Sequence, residues 1–190
     1  ADIFIVKTLL NTAASAHRAL IAFSMGPHGC PTRCLAPVWG SHAVYASTGA
    51  GKESAPGQLA ARDLVKRYRY KALSPESGVI TVIGKSDKIL EVPGLYNAIF
   101  DLADLDALCI PAGQVSMDEL GTLASGIPLK GVLLEETEAS RGQERLDRNR
   151  DLVVIKAGAQ DLMKDAGKHV QRLFGIEVAE DLIKEASSRV

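Results

Sequence analysis

The chain has 190 residues, 46% of them apolar, with 22 lysines and arginines against 23 aspartates and glutamates and a formal net charge of −1. That is enough apolar material for one large or two small buried cores, and the balanced charge gives no electrostatic case for a nucleic-acid or membrane-surface partner. No apolar run approaches the length that spans a bilayer, and ADIFIVKT at the start has neither the basic region nor the cleavage pattern of a signal peptide, so a cytoplasmic protein is expected.

In chain order, Ile3–Val6 is a continuous apolar run that reads as a strand ending at Lys7, and Thr12–Leu20 follows as a short helix with Asn11 or Thr12 as its cap. Ile21–Met25 is too short for a typical helix and Ala43–Ala46 carries Val44 and Tyr45, so both suit buried parallel strands. Each empties into a loop of glycine, proline and small polar residues. In an α/β fold the loops after the carboxyl ends of parallel strands are where ligands sit. Gly26–Arg33 and Ser47–Gln58 are therefore expected to face one pocket, with Arg33, Ser54 and Gln58 as its polar lining. His28 lies in the first of these loops, where a histidine is more often solvated or hydrogen-bonded than functional. Trp39 reads as core or lid packing. Cys30, Cys34 and Cys109 are too few for a disulfide framework, and Cys30-x3-Cys34 is not a redox or zinc-ribbon spacing, so all three read as thiols and no metal is expected.

From Gln58 to Tyr70 the apolar positions Ala61, Leu64, Val65 and Tyr68 predict an amphipathic helix with Lys66, Arg67 and Arg69 on its wet side. Lys71–Ser77 reads as a linker with a turn at Ser74-Pro75. A βαβ rhythm then restarts. Val79–Ile83 is a strand, Pro93 opens a helix carrying Leu95, Ala98, Ile99 and Leu102, and Leu108–Ile110 is a second strand. Ser116 and Glu119 form a capping box before Leu120 and Leu123, and Val132–Leu134 gives a third strand. Glu135–Asp151 alternates in charge sign and reads as a solvated loop or short exposed helix. Leu152–Ile155 is a strand; Leu162, Met163, Ala166, Val170, Leu173 and Phe174 make one helix face with Gly175 as C-cap; and Leu182, Ile183 and Ala186 mark a final helix. His169 reads as a surface residue. Alternating strands and helices imply a parallel, doubly wound sheet.

SMGPHGCPTRCLAPVWGSHAVYASTG followed by ESAPGQLAARDL resembles the last third of a type I 3-dehydroquinate dehydratase, a (β/α)8 barrel of the shikimate pathway. Carried over residue by residue, the resemblance puts Arg33 on the arginine that holds the substrate carboxylate and Ser54 and Gln58 on the lid residues that contact substrate. ADIFIVKTLLN resembles the strand that bears the family's Schiff-base lysine, which would be Lys7; a desolvated lysine at a strand end is a nucleophilic amine, whereas the bland reading is a solvated one. The family's general-base histidine lies upstream of that lysine, so His17, His28 and His42 inherit no such role. Ala1 opens directly on an apolar run, which suggests a processed product or a fragment, and the resemblance would place about five barrel strands before it.

GVITVIGKS, PGLYNAIF and LDALCIP resemble in order the first strand, first helix and second strand of the substrate-binding domain of shikimate dehydrogenase, with Pro93, Asn97, Ala98 and Phe100 on matching positions. Fusion of these two enzymes is a known arrangement. The chain departs from the dehydrogenase pattern where Lys88 and Leu90 replace a serine pair and where VLLEETEA, with Ala139, replaces the catalytic-lysine motif. KAGAQD also lacks the glycines of a dinucleotide fingerprint, so no cofactor, NADP included, is assigned and no dehydrogenase activity is expected.

The sequence thus predicts an α/β protein in two parts. Residues 1–70 are the end of a dehydratase-like barrel, 71–77 a linker, and 78–190 a shikimate-dehydrogenase-like domain. About three and a half βα units cannot close a barrel, so the first part is expected to pair with missing chain, another copy or the second domain. The expected function is dehydration of 3-dehydroquinate, a small carboxylate substrate, through a Lys7 Schiff base. The rival is a non-catalytic carboxylate-binding or regulatory relative that has lost both activities.

Overall fold

The computed structural model describes residues 2–26, 29–113, 127–136 and 152–190. The chain divides into two compact units, one of residues 1–77 with 118–128, the other of 78–117 with 129–190. The two are built differently.

Among its described residues the first unit holds three α-helices, α1 (Asp2–Ser15), α2 (Cys30–Cys34) and α3 (Ala61–Lys66), and a 3-10 turn at Tyr70–Ala72. The expected strand Ile3–Val6 is instead the first turns of α1, and the expected helix Thr12–Leu20 contributes only its first residues to the end of α1. The run DIFIVKTLLNTAAS contains no glycine or proline, and Ile3, Val6 and Leu10 recur at helical spacing, with Val6 and Leu10 buried. Helix satisfies every internal backbone group of such a run without a neighbouring strand. Phe4, Ile5 and Leu9 stand exposed on the rest of the helix. His17, at φ 53°, turns the chain out of it.

The expected strands Ile21–Met25 and Ala43–Ala46 are irregular and form no strand ladder; the only bridge in this part of the described chain is the parallel Ser47–Ala60 pair. There the Ser47 amide donates to Leu59 O and the Ala61 amide to Ser47 O, both at 2.9 Å. The helix expected over 58–70 is shorter, ending at Lys66 with Arg67 as its C-cap, and Arg69, at φ 52°, turns the chain into the 3-10 turn Tyr70–Ala72. Leu64 and Tyr68 are buried as predicted, while Val65 is exposed and Arg69 is buried rather than wet.

Among its described residues the second unit contains a sheet of four parallel strands, β1 (Gly78–Ile83), β2 (Ala107–Gly113), β3 (Leu129–Glu135) and β4 (Val153–Ala157), in the order β2-β1-β3-β4. Each predicted strand is present. β1 is central, in register with Ile80 opposite both Cys109 and Gly131. Parallel neighbours need crossover connections. Pro111 is tolerated because β2 is an edge strand. The first crossover contains α4 (Val92–Leu102), with Pro93 in its first turn where a missing N–H costs nothing.

After β4 come α5 (Ala159–Lys164), α6 (Ala166–Phe174) and α7 (Glu180–Ser188). The single helix expected over 162–174 breaks at Asp165, and Gly175 at φ 71° is the predicted C-cap, its amide donating to Gln171 O at 2.7 Å. Ile80, Val82, Cys109, Leu133 and Ile155 pack from one sheet face against Tyr96, Ile99, Phe100, Leu162, Val170 and Ala186 of these helices. Alternation along the strands puts Val79, Thr81, Leu108, Ile110, Val132 and Leu134 on the opposite face, and these are buried as well, as parallel sheets require. The molecule is therefore of the α/β class with a parallel sheet. The capping box at Ser116 and Glu119, His28 and Ala139 lie outside the described residues.

Candidate functional site

In the first unit the loop after residue 25 and the loop of residues 48–59 are tied together: the Gly26 amide donates to Pro56 O at 3.1 Å. The start of α2 is fixed by Thr32, whose hydroxyl donates to Gly29 O at 2.8 Å and accepts from the Ser24 amide at 2.9 Å. This side chain replaces backbone pairing at a sharp entry into the helix. Gly29 is required there, because a Cβ would collide with the Ser24 carbonyl.

Arg33 follows on α2. Its guanidinium lies 4.2 Å over the Phe23 ring, and its Nη1 donates to Tyr45 O at 3.2 Å. Phe23 and Tyr45 meet edge to face with centroids 5.8 Å apart. Arg33 is only 1% exposed, so the structure places it under the loops rather than at the rim of an open pocket. Its Nε and the Ser24 hydroxyl have no hydrogen-bond partner among the described residues. Burial pushes the Arg33 pKa down, and the neighbouring Cys30 and Cys34 pull it back up. A buried cation with an uncommitted donor edge is suited to an anionic group brought in from outside.

Ser54 and Gln58 are brought together. Gln58 Oε1 accepts from the Ser54 amide at 2.8 Å and from its hydroxyl at 3.2 Å, closing the loop on itself. Glu53, Ser54, Ala55, Pro56 and Gly57 line an open hollow of about 430 Å³ on this loop. Lys7 stands on α1, half-buried between the buried Val6 and the exposed Thr8, and α1 packs against α2. Among the described residues no hydrogen bond joins Lys7 to Arg33, Ser54 or Gln58.

Two arrangements were not read from the sequence. On α2 the Cys30 and Cys34 sulfurs are 3.8 Å apart, with Tyr68 hydrogen-bonded to Cys30. At the carboxyl end of the sheet, Glu135 of β3 reaches the turn after β1. Its carboxylate accepts from the Lys85 amide at 2.8 Å, the Ser86 amide at 3.0 Å and the Ser86 hydroxyl. This is the point where strand order reverses between β1 and β3, the usual place for a ligand in an open α/β sheet. Here a side chain of the chain itself fills the nest of donors. Lys88 and Leu90 are exposed on the 3-10 turn Asp87–Leu90 beside it.

His169 is half-buried rather than free on the surface: its ring stacks on Tyr96 and its Nδ1 lies 2.7 Å from the Tyr96 hydroxyl. Burial lowers its pKa. Among the described residues no group of three or more His, Cys, Asp or Glu is placed to hold a metal, and no helix is long and apolar enough to cross a membrane.

Comparison with known proteins gives two findings. Residues 1–75 match the model of the family described as Type I 3-dehydroquinase. The chain is also similar to the bifunctional 3-dehydroquinate dehydratase/shikimate dehydrogenase, chloroplastic, of Arabidopsis thaliana, at 27% identity over 109 residues. That similarity covers 57% of this chain and 18% of the plant protein.

Proposed function

We propose that this chain is a shikimate-pathway lyase that dehydrates 3-dehydroquinate to 3-dehydroshikimate. In this reading residues 1–70 are the dehydratase-like barrel segment, 71–77 a linker and 78–190 a shikimate-dehydrogenase-like domain, together part of a bifunctional dehydratase/dehydrogenase. The observation that carries the reading is the family match over residues 1–75, which takes in Lys7, Arg33, Ser54 and Gln58. Support for a joined second domain comes from the similarity to the bifunctional plant protein.

The chemistry assigned to these residues is specific. The Lys7 amine attacks the substrate ketone and, with loss of water, forms an iminium; the iminium acidifies the adjacent C–H, that proton and the neighbouring hydroxyl leave together as water, and a further water hydrolyses the C=N bond to release the conjugated ketone and restore the Lys7 amine. Arg33 holds the substrate carboxylate through paired donors, a geometry that an ammonium cannot reproduce. The Ser54–Gln58 loop, held by Gly26 and closed on itself, covers the bound substrate. No NADP site is assigned, because the stretch Lys156–Asp161, which runs from the end of β4 into α5, carries a single glycine, Gly158.

Borohydride reduction of the full chain in the presence of 3-dehydroquinate, followed by peptide mass spectrometry, is expected to place the adduct on Lys7. An adduct on another lysine, or none, defeats the Schiff-base assignment. In the same preparation Arg33→Lys is expected to weaken quinate binding about tenfold or more, the worth of one charge-assisted hydrogen bond. Unchanged affinity removes Arg33 from the site.

A further inference from the structure

Cys30 and Cys34 sit one turn apart on α2, and their environments make them unequal partners. Cys30 is half-buried and Cys34 wholly buried, both as free thiols. Tyr68, also buried, lies in the segment after α3 and hydrogen-bonds the Cys30 sulfur. Arg33 and Arg67 supply positive charge to both. Close thiols of unequal exposure, flanked by guanidinium groups and a phenol, form the kind of setting in which one sulfur attacks and the other resolves.

We propose that Cys30 and Cys34 are an oxidation site, at which a hydroperoxide converts the dithiol to an intramolecular disulfide. The Cys30 thiolate attacks a peroxide oxygen; the S–O bond forms, the O–O bond breaks, and the departing oxygen leaves as water or an alcohol. Cys30 has then lost two electrons, which the peroxide has gained. Cys34 attacks the Cys30 sulfenic sulfur, the S–S bond forms, the S–O bond breaks, and the hydroxyl leaves as water with the Cys34 proton. One hydroperoxide is consumed per disulfide.

The surroundings order these two steps. The hydrogen bond with Cys34 lowers the Cys30 pKa most; burial opposes it, and Tyr68, Arg67 and Arg33 add to the lowering. Burial is the largest cause of the raised Cys34 pKa, and the bond to Cys30 and its charge raise it further. Oxidation of Cys30 removes that charge while Arg67 and Arg33 remain, so Cys34 becomes easier to ionise once there is a sulfenic acid to attack. Residues one turn apart have Cβ atoms about 5–6 Å apart, and a disulfide needs about 3.5–4.5 Å, so closure must tighten the single turn α2. A bond formed that way is one a dithiol readily reduces. Arg33 lies on the same turn. If the carboxylate role given above to Arg33 holds, closure displaces the guanidinium, and oxidation lowers ligand affinity reversibly.

The test treats the full chain with hydrogen peroxide, blocks remaining thiols with an alkylating agent, and maps peptides after cleavage at Arg33, which separates the two cysteines unless they are joined. The expected product is the Cys30 and Cys34 peptides linked, with Cys109 still alkylated after denaturation. Cys34→Ser should stop at a Cys30 sulfenic acid, captured by a cyclic 1,3-dione, and Cys30→Ser should leave Cys34 unoxidised. Full alkylation of both cysteines after peroxide, overoxidised Cys30 beside intact Cys34, or a bond to Cys109 overturns the proposal. Quinate binding is measured on the same oxidised sample. A linked pair with unchanged quinate affinity upholds the oxidation site and counts against the Arg33 reading; no linked pair sinks the oxidation site whatever the affinity.

Discussion

Asn97 joins α4 to the edge strand β2, and its loss should be among the costlier single changes in the second unit. The side chain is 1% exposed; its Nδ2 donates to Cys109 O at 2.8 Å and its Oδ1 accepts from the Cys109 amide at 2.6 Å. It gives the outer edge of β2 the pairing that a further strand would otherwise provide. Asn97→Leu keeps a similar volume and leaves one buried N–H and one buried C=O unpaired. At about 1–3 kcal/mol for each stranded group, the cost is about 2–6 kcal/mol, a large part of the roughly 5–15 kcal/mol that holds a typical domain folded. Each kcal/mol lowers the melting midpoint of a chain this size by about 2–4 °C, so a fall of at least roughly 4 °C is expected. Asn97→Asp should behave differently: it keeps the acceptor, sets an oxygen against the Cys109 carbonyl, and recovers part of the loss as acid protonates the new carboxyl. Thermal unfolding, with hydrogen exchange read at the Cys109 amide, checks both variants. A midpoint shift under about 2 °C with unchanged exchange at Cys109 would refute the reasoning.

Two further outcomes follow from packing and charge. Burial raises the Glu135 pKa, but the Ser86 hydroxyl and the Ser86 and Lys85 amides outweigh it and hold the carboxyl below its ordinary value. Because the folded value is depressed, the stabilisation is present above the unfolded carboxyl pKa of about 4.3 and is lost as pH falls through the folded value. Glu135→Gln should cost about 1.5–3 kcal/mol at neutral pH and flatten that acid limb in urea titrations; an unchanged limb would show that another group controls it. Gly131→Ala on β3 would put a methyl group 2.9 Å from Val153 O and against the Leu173 side chain. It should cost about 1–3 kcal/mol in denaturant unfolding, and a neutral result would mean that the β3–β4 pair gives way freely.

How much was legible in the sequence differs between the two units. In the second, GVITVI, LCI, VLL and LVVI are short runs bounded by breakers, and Pro93 and Gly175 mark helix ends by local chemistry that tertiary context does not overrule. The break at Asp165 was not legible, since the apolar positions Leu162, Ala166 and Val170 continue at helical spacing across it. In the first unit, Ile3–Val6 fits a strand by its branched side chains and a helix by its spacing. The choice turns on whether a neighbouring strand is present to pair with it, which a short run cannot reveal. The arrangements missed altogether depend on distant partners. Glu135 meets backbone amides about 50 residues away, and His169 meets Tyr96 across 73 residues. The Cys30–Cys34 spacing was visible, but the sulfur contact and the hydrogen bond from Tyr68 were not.

The central claim, that this chain dehydrates 3-dehydroquinate through Lys7, is tested most directly by following the conjugated ketone of 3-dehydroshikimate by its ultraviolet absorbance. The full chain and its Lys7→Met variant would be compared at equal concentration. Steady product formation is expected from the unaltered chain, and none above the uncatalysed background from Lys7→Met. Equal rates from the two proteins, or no product from either, would contradict it.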